Sequence, residues 1–309
     1  MNSFDAIRAG RELTLEAPPA AESQAFQVLR PAAGAAPGPL VFNSPHSGCD
    51  YPAEFVASSP LDLATLRRSE DSFIDEIFSA APQYGAPLLK ALFPRAYLDV
   101  NREAFELDPG MFADSLPLHV NTGSLRAAGG LGTIARVVAD GKNIYREKLP
   151  YAEAERRIGA LYRPYHATLD ALLADAERAC GAAVLIDCHS MPSQGAPANG
   201  PDPRPVEIIL GDRFGSSCAP QISHIVESTL RDLGYRVERN NPYAGGHITG
   251  IHGHPARGRH ALQIEINRAL YMDETAIAPS PGFARLRDDM SKLIAVLCAH
   301  LTPQALANL

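Results

Sequence analysis

The chain has 309 residues, of which 46% are apolar and 20% charged, so it can bury a sizeable core and is not disordered in bulk. Its formal net charge of -7 offers no overall basic field for nucleic acid or an anionic membrane surface. No apolar run is long enough for a transmembrane helix, and the opening MNSFDAIRAGRELTLEAPPA lacks the basic start and apolar stretch of a secretory leader. The five cysteines (Cys49, Cys180, Cys188, Cys218, Cys298) are scattered and form no CxxC pair. That argues against a disulfide framework or an all-cysteine metal site and fits a reducing, cytoplasmic setting.

Residues 1–37, rich in Ala, Pro and Glu, read as an irregular N-terminal arm with an edge strand at Phe26–Arg30. From residue 38 to 309 no second shift in composition appears, which predicts one domain. Strand-like apolar runs follow at Pro39–Asn43, Pro87–Leu92, Tyr97–Val100, Ala183–Asp187, Val206–Leu210, Tyr235–Glu238 and Ala261–Ile266. Helical periodicity occupies Leu63–Ala80, Tyr151–Ala179, Pro220–Leu233 and Gly282–His300. Strands alternating with helices predict an α/β fold with a central, mostly parallel sheet covered on both faces. In such folds the ligand site lies at the carboxyl ends of the strands.

Four of these runs end in chemically capable residues. PLVFNSPHSG delivers His46; AYLDVNR delivers Asp99, Asn101 and Arg102; AAVLIDCHSM delivers Asp187 and His189; ALQIEINR delivers Glu265, Asn267 and Arg268. Side chains alternate faces along a strand, so Asp187 and His189 share one face, as do Gln263, Glu265 and Asn267. A single histidine after a strand is ordinarily a hydrogen-bonded core or surface group. A carboxylate inside the buried run Leu262–Ile266 needs a partner, either an arginine or a metal. Taken together, two imidazoles and one carboxylate can hold zinc with a position left for water. A further carboxylate can move the proton of that water, and an arginine can grip a substrate carboxylate through two parallel hydrogen bonds. This equipment suits hydrolysis of an amide in a small acidic molecule.

Other motifs carry less. GGLGTIARV (Gly129–Val138) lacks the ending of a phosphate loop, although its Arg136 could contact a substrate carboxylate. The glycine-rich NNPYAGGHITG reads as a turn or as a loop over the site, with Gly246 and His247 near the substrate. IHGHPARGRH, with His252, His254 and His260, reads as a solvated loop in preference to a second metal site. In YRPYH the tyrosines are expected to pack on the sheet and His166 to make a hydrogen bond.

NSPHSGxxYP, the ED-x-F-x-D stretch at Glu70–Asp75, LDVNR, IDCHSM, NPYAGGHIT and QIEINRxLYMDE occur in this order over residues 39 to 300. Together they resemble the N-formylglutamate amidohydrolase family, itself similar to the zinc carboxypeptidases and aspartoacylase. The resemblance implies a single three-layer αβα domain of the carboxypeptidase and phosphorylase/hydrolase kind. It also implies one Zn2+ per chain, a role in histidine breakdown, and hydrolysis of N-formyl-L-glutamate to formate and L-glutamate. Another small N-acyl amino acid, a peptide C-terminus or an inactive binding module are the rival readings. By the same resemblance His46 and His189 are zinc ligands, Asn101 and Arg102 grip a substrate carboxylate, and Glu265 is the catalytic acid/base. Arg136 and Arg268 are candidates for a second carboxylate. The carboxypeptidase pattern places Glu three residues after its first His, where this chain has Cys49. The resemblance implies Asp71 as the second ligand, because the acid of the DSFIDEIF stretch belongs to the family pattern, with Glu70 and Cys49 as alternatives.

Overall fold

The computed structural model describes residues 25–138, 141–195 and 205–309. Residues 1–24 of the expected arm lie outside the described residues. The main sheet is seven-stranded. In chain order its strands are β1 (Phe26–Leu29), β2 (Leu40–Ser44), β3 (Leu88–Ala91), β6 (Ala183–Met191), β7 (Ile208–Gly211), β8 (Val237–Arg239) and β9 (Arg259–Asn267). Two-residue strands β4 (Val137–Val138) and β5 (Lys142–Asn143) form a separate ribbon, as do β10 (Met272–Asp273) and β11 (Ala278–Pro279). Across the main sheet the order is β1-β3-β2-β6-β9-β7-β8. The β3, β2, β6 and β9 strands run parallel, while β1 pairs antiparallel at one edge and β7 pairs antiparallel with β9. The sheet is mixed, as expected, and the strand predicted within the arm is its edge.

The alternation of side chains along each strand explains the layers. On β6, Val184, Ile186 and Cys188 join a core shared with helices Pro220–Asp232 and Phe283–His300. The intervening Ala183 and Leu185 face the other core, with Tyr165, Leu169 and Leu173 of the helix Arg163–Cys180. Continuing that second parity gives Asp187 and His189; on β9 it gives Ala261, then Gln263 and Glu265. β6 is thus apolar on both faces through its first half, and both strands turn polar on one face at their carboxyl ends. Fully burying one such Leu or Ile contributes about 1.5–3 kcal/mol, so it takes the summed burial of both apolar faces, with paired hydrogen bonds, to offset the cost of the polar end.

Four expectations change. Tyr97–Val100 is a turn, not a strand: Tyr97 N and Leu98 N both donate to Pro94 O, and Asp99 N donates to Thr133 O. Its buried apolar residues pack on the sheet without entering it. Leu63–Ala80 is not one helix but two short ones, Leu63–Arg67 and Ile74–Ile77, with Phe73 between them at φ 69°. Asp71 N donates to His46 O at 3.0 Å, a tertiary bond in place of a helical one. The helix Tyr151–Cys180 is continuous but contains a π-helical turn at Ile158–Tyr162. IHGHPARGRH is also only partly solvated: His254 is exposed, whereas His252 and His260 are buried.

The turn after β2 depends on Gly48. A Cβ there would lie 2.2 Å from Phe93 O and 2.6 Å from the Leu92 carbonyl carbon, both backbone atoms at the end of β3. Gly48→Ala should therefore cost about 1–3 kcal/mol by overpacking and lower Tm by several degrees. A thermal melt with an unchanged Tm would contradict the close approach.

Candidate active site

Three chain segments converge where β2 and β6 end. His46 follows β2, His189 is on β6, and Asp71 is brought in by the helix break. All three are buried, and one ligand atom from each lies within 4.8 Å of the others. His46 Nδ1 and His189 Nδ1 both face Asp71 Oδ2, at 3.3 and 3.0 Å. The opposite ring nitrogens face other carboxylates: His46 Nε2 is 2.8 Å from Asp99 Oδ1, and His189 Nε2 is 3.0 Å from Asp187 Oδ2.

The outer contacts assign the tautomers. An ionised carboxylate can only accept, so each Nε2 carries the donated proton. Asn101 Nδ2 also lies 3.3 Å from His189 Nε2, but its amide is oriented by Ile248 N donating to Asn101 Oδ1, and the Asp187 contact is the shorter. With each Nε2 turned to its outer carboxylate, both Nδ1 atoms point at Asp71 Oδ2, and removing their protons leaves two lone pairs facing that oxygen. Three acceptors facing one another demand a cation, either a proton or a metal. A carboxylate behind each imidazole is the arrangement that fixes tautomer and ring orientation in metal sites. The residues present fit a divalent metal ion.

The acid–base balance reflects the same crowding. Burial works against ionised Asp71, yet hydrogen bonds from His189 and His46 hold its carboxyl well below the usual range. Burial likewise opposes charge on His189, but Asp187, Asp71 and Glu265 keep it well above an ordinary histidine. In Asp99 burial is outweighed by Arg102, Arg95 and His46, and its carboxyl also falls well below the usual range.

The supporting contacts are built into neighbouring elements. Asp187 accepts from Asn43 Nδ2 at 2.7 Å, and Asn43 Oδ1 accepts from Tyr165 OH at 2.5 Å. Asp71 Oδ1 accepts from Arg268 Nη2 and Ser190 Oγ, each at 3.1 Å. The turn carrying Asn101 and Arg102 is clamped from the long helix. Tyr162 OH, at the end of the π turn, donates to Arg102 O at 2.7 Å, and His166 Nε2 donates to Val100 O at 2.8 Å. A π turn shifts side-chain register and is frequent at functional sites.

Glu265 lies opposite His189 in the parallel register of β6 and β9. It is buried, and Oε1 accepts from Gln263 Nε2 at 2.7 Å. Burial pushes its carboxyl up to about 7; His189 pulls it down, Asp71 pushes it up, and Arg95 and Asp187 add smaller opposing effects. The cavity beside it has a volume of about 700 Å³ and is lined by His46, His189, Asn101, Gly246, Glu265 and several arginines.

The structure brings most of the expected residues to this cavity and leaves two aside. Arg102, Asn101, Gly246 and Arg268 line it, with Asp71 buried behind the two histidines. Arg136 does not: its Nε is 2.5 Å from Asp108 Oδ2 and its Nη1 donates to Asn143, so a protein carboxylate already holds it. His247 lines a neighbouring cavity of about 430 Å³, with Nε2 3.2 Å from Tyr162 OH. Glu70 is held by Arg67 and Ser72 at 3.0 and 2.8 Å, and Cys49 is outside the cluster, so neither alternative ligand joins the histidines. Arg68, Arg95, Arg126 and Tyr243 also line the cavity. Arg95 and Arg126 had no motif around them; Gln263 had one signal, its shared face with Glu265.

A buried carboxylic acid poised near neutrality beside a cation-demanding cluster is how a hydrolase moves a water proton. The N-formylglutamate amidohydrolase family model matches residues 38–272. The chain is 31% identical over 242 residues to an N-formylglutamate deformylase of Pseudomonas aeruginosa, covering 77% of this chain and 84% of that one. It is 28% identical over 240 residues to an N-formylglutamate deformylase of Pseudomonas putida, covering 77% and 83%. A solved structure, the N-formylglutamate amidohydrolase of Ralstonia eutropha JMP134, superposes with a TM-score of 0.83 at 37% identity, covering 89% of this chain and 98% of that one. The chain belongs to the N-formylglutamate amidohydrolase family and is a hydrolase acting on an amide.

Proposed function

We propose that the protein hydrolyses the formyl amide of N-formyl-L-glutamate to formate and L-glutamate, with one Zn2+ held by His46, Asp71 and His189. The observation that carries the metal is the convergence of two buried Nδ1 atoms on Asp71 Oδ2. A mixed nitrogen and oxygen donor set of three side chains suits catalytic zinc. When bound, such an ion polarises a carbonyl and makes a water acidic near neutral pH. Asp99 and Asp187 keep both imidazoles turned to the site. Arg268, with Nε on Ser190 Oγ, Nη1 on Arg68 O and Nη2 on Asp71, orients the third ligand and is engaged within the protein. Glu265 takes the proton of the attacking water and delivers it to the departing nitrogen. Arg102 donates Nε to Leu131 O and Nη1 to Asn101 O, which leaves Nη2, 3.7 Å from Asp99, for a substrate carboxylate. The relatives' names support the substrate.

Elemental analysis of the purified protein, with formate release measured before and after chelation, tests this reading. The expected result is about one zinc per chain, loss of turnover on chelation and recovery on adding zinc back. Metal-free protein with undiminished turnover would sink it.

A further inference from the structure

Five arginines line the main cavity: Arg68, Arg95, Arg102, Arg126 and Arg268. Four are committed to the protein. Arg268 is used at all three nitrogens, Arg102 at two, Arg95 donates Nη2 to Asp99 at 2.8 Å, and Arg68 is also partnered. The Arg126 side chain has no hydrogen bond or ion pair among the described residues.

Its backbone is nonetheless fixed. Arg126 N donates to Ser124 Oγ at 3.1 Å, and Ser124 in turn bonds the buried Glu106 carboxylate. Leu131 joins it to the inner arginine: Leu131 N donates to Arg126 O at 2.8 Å, and Leu131 O accepts from Arg102 Nε at 2.9 Å. Two cations are thus tied together on one wall. Arg102 is largely covered, and Arg126 stands exposed where this cavity meets the neighbouring one. Asp99 and Glu106 already balance Arg102, whereas the Arg126 guanidinium has no hydrogen-bonded or ion-paired carboxylate among the described residues, so its donors are open to an anion in the cavity.

We propose that Arg126 is the specificity-determining cation of the site. It takes the side-chain carboxylate of an acidic N-acyl amino acid, while Arg102 takes the carboxylate next to the amide. The assignment rests on the substrate reading above and follows from length. The α-carboxylate is held close to the scissile amide and therefore to the buried end of the cavity, whereas the γ-carboxylate extends away from it towards the mouth. An arginine can meet that carboxylate through two parallel donors, and a neutral amide of the same shape cannot replace it.

The test compares N-formyl-L-glutamate with the isosteric, neutral N-formyl-L-glutamine in the wild type, Arg126→Ala and Arg126→Lys. The expected result is a wild-type preference for the acid. In Arg126→Ala the ratio of kcat/KM values should fall about 10- to 100-fold, the effect of a hydrogen bond to a charged group, mainly through KM. Arg126→Lys should keep part of the preference, because charge remains but the paired donors do not. A change that merely loosened the fold would lower both substrates together and leave the ratio alone. A wild-type preference that persists unchanged in Arg126→Ala overturns the role of Arg126 alone. Wild-type protein that releases formate from neither compound, or from both alike, overturns the substrate reading and this inference with it.

Discussion

Glu265→Gln should lose about 100- to 10,000-fold in kcat while its zinc content stays that of the wild type, because general acid–base catalysis contributes on that scale. The substitution preserves shape. The hydrogen bond from Gln263 Nε2 can still be accepted by the new amide oxygen. Only the capacity to hold and release a proton is removed. The carboxyl it replaces is buried and pushed up to about 7, the range in which a group can serve as base and then as acid. Stability should move the other way. A buried carboxylate costs folding free energy, and a neutral amide in its place should leave Tm equal or slightly raised. Metal analysis, a melt and a formate assay on one preparation give three separate readings. Wild-type turnover in the variant, with zinc present, would remove Glu265 from the chemistry.

How much of this was legible in the sequence depended on whether local pattern or tertiary contact decided the outcome. The strands carrying His189 and Glu265 read as continuous apolar runs; the alternation of faces paired Asp187 with His189 and Gln263 with Glu265, and the strand-end rule pointed to the site. The edge strand Phe26–Leu29 was legible for the same reason. Asp71 was named by the family resemblance and not by local pattern, because the periodicity over Leu63–Ala80 is helical and does not turn it towards the histidines. What interrupts the helix is long-range: Asp71 N is bonded to His46 O, and Phe73 adopts a left-handed backbone that an L residue takes only when its surroundings demand it. AYLDV looked like a strand because its apolar residues are buried, but burial against a sheet does not require membership in it. Arg136 shows the opposite limit. Its neighbourhood in sequence suggested a substrate contact, whereas its partner, Asp108, is 28 residues away and could be identified only once the chain was folded. Arg126 and Arg95 were invisible for want of any motif.

Asp71→Asn is the sharpest test of why this cluster exists. Asp71 Oδ1 accepts from Arg268 and Ser190, both donors, so the asparagine oxygen should take that place and turn its amide towards the two imidazoles. Amide hydrogens would then meet the Nδ1 lone pairs of His46 and His189, supplying from within the protein the positive partner that the wild-type site needs. The fold should survive, with a penalty for leaving buried Arg268 short of its counter-ion, relieved in part by Glu274 Oε2 at 3.8 Å. Metal affinity should fall by more than about 100-fold, since even the partners behind a ligand carry about 10- to 100-fold. Linkage makes the difference visible without any activity assay. A ligand at about 100 times its Kd raises folding stability by about 2.7 kcal/mol, so added zinc should raise the wild-type Tm and leave that of Asp71→Asn where it was. If both proteins gain equally, the convergent lone pairs are not the zinc site, and the three acceptors must be satisfied by a proton alone.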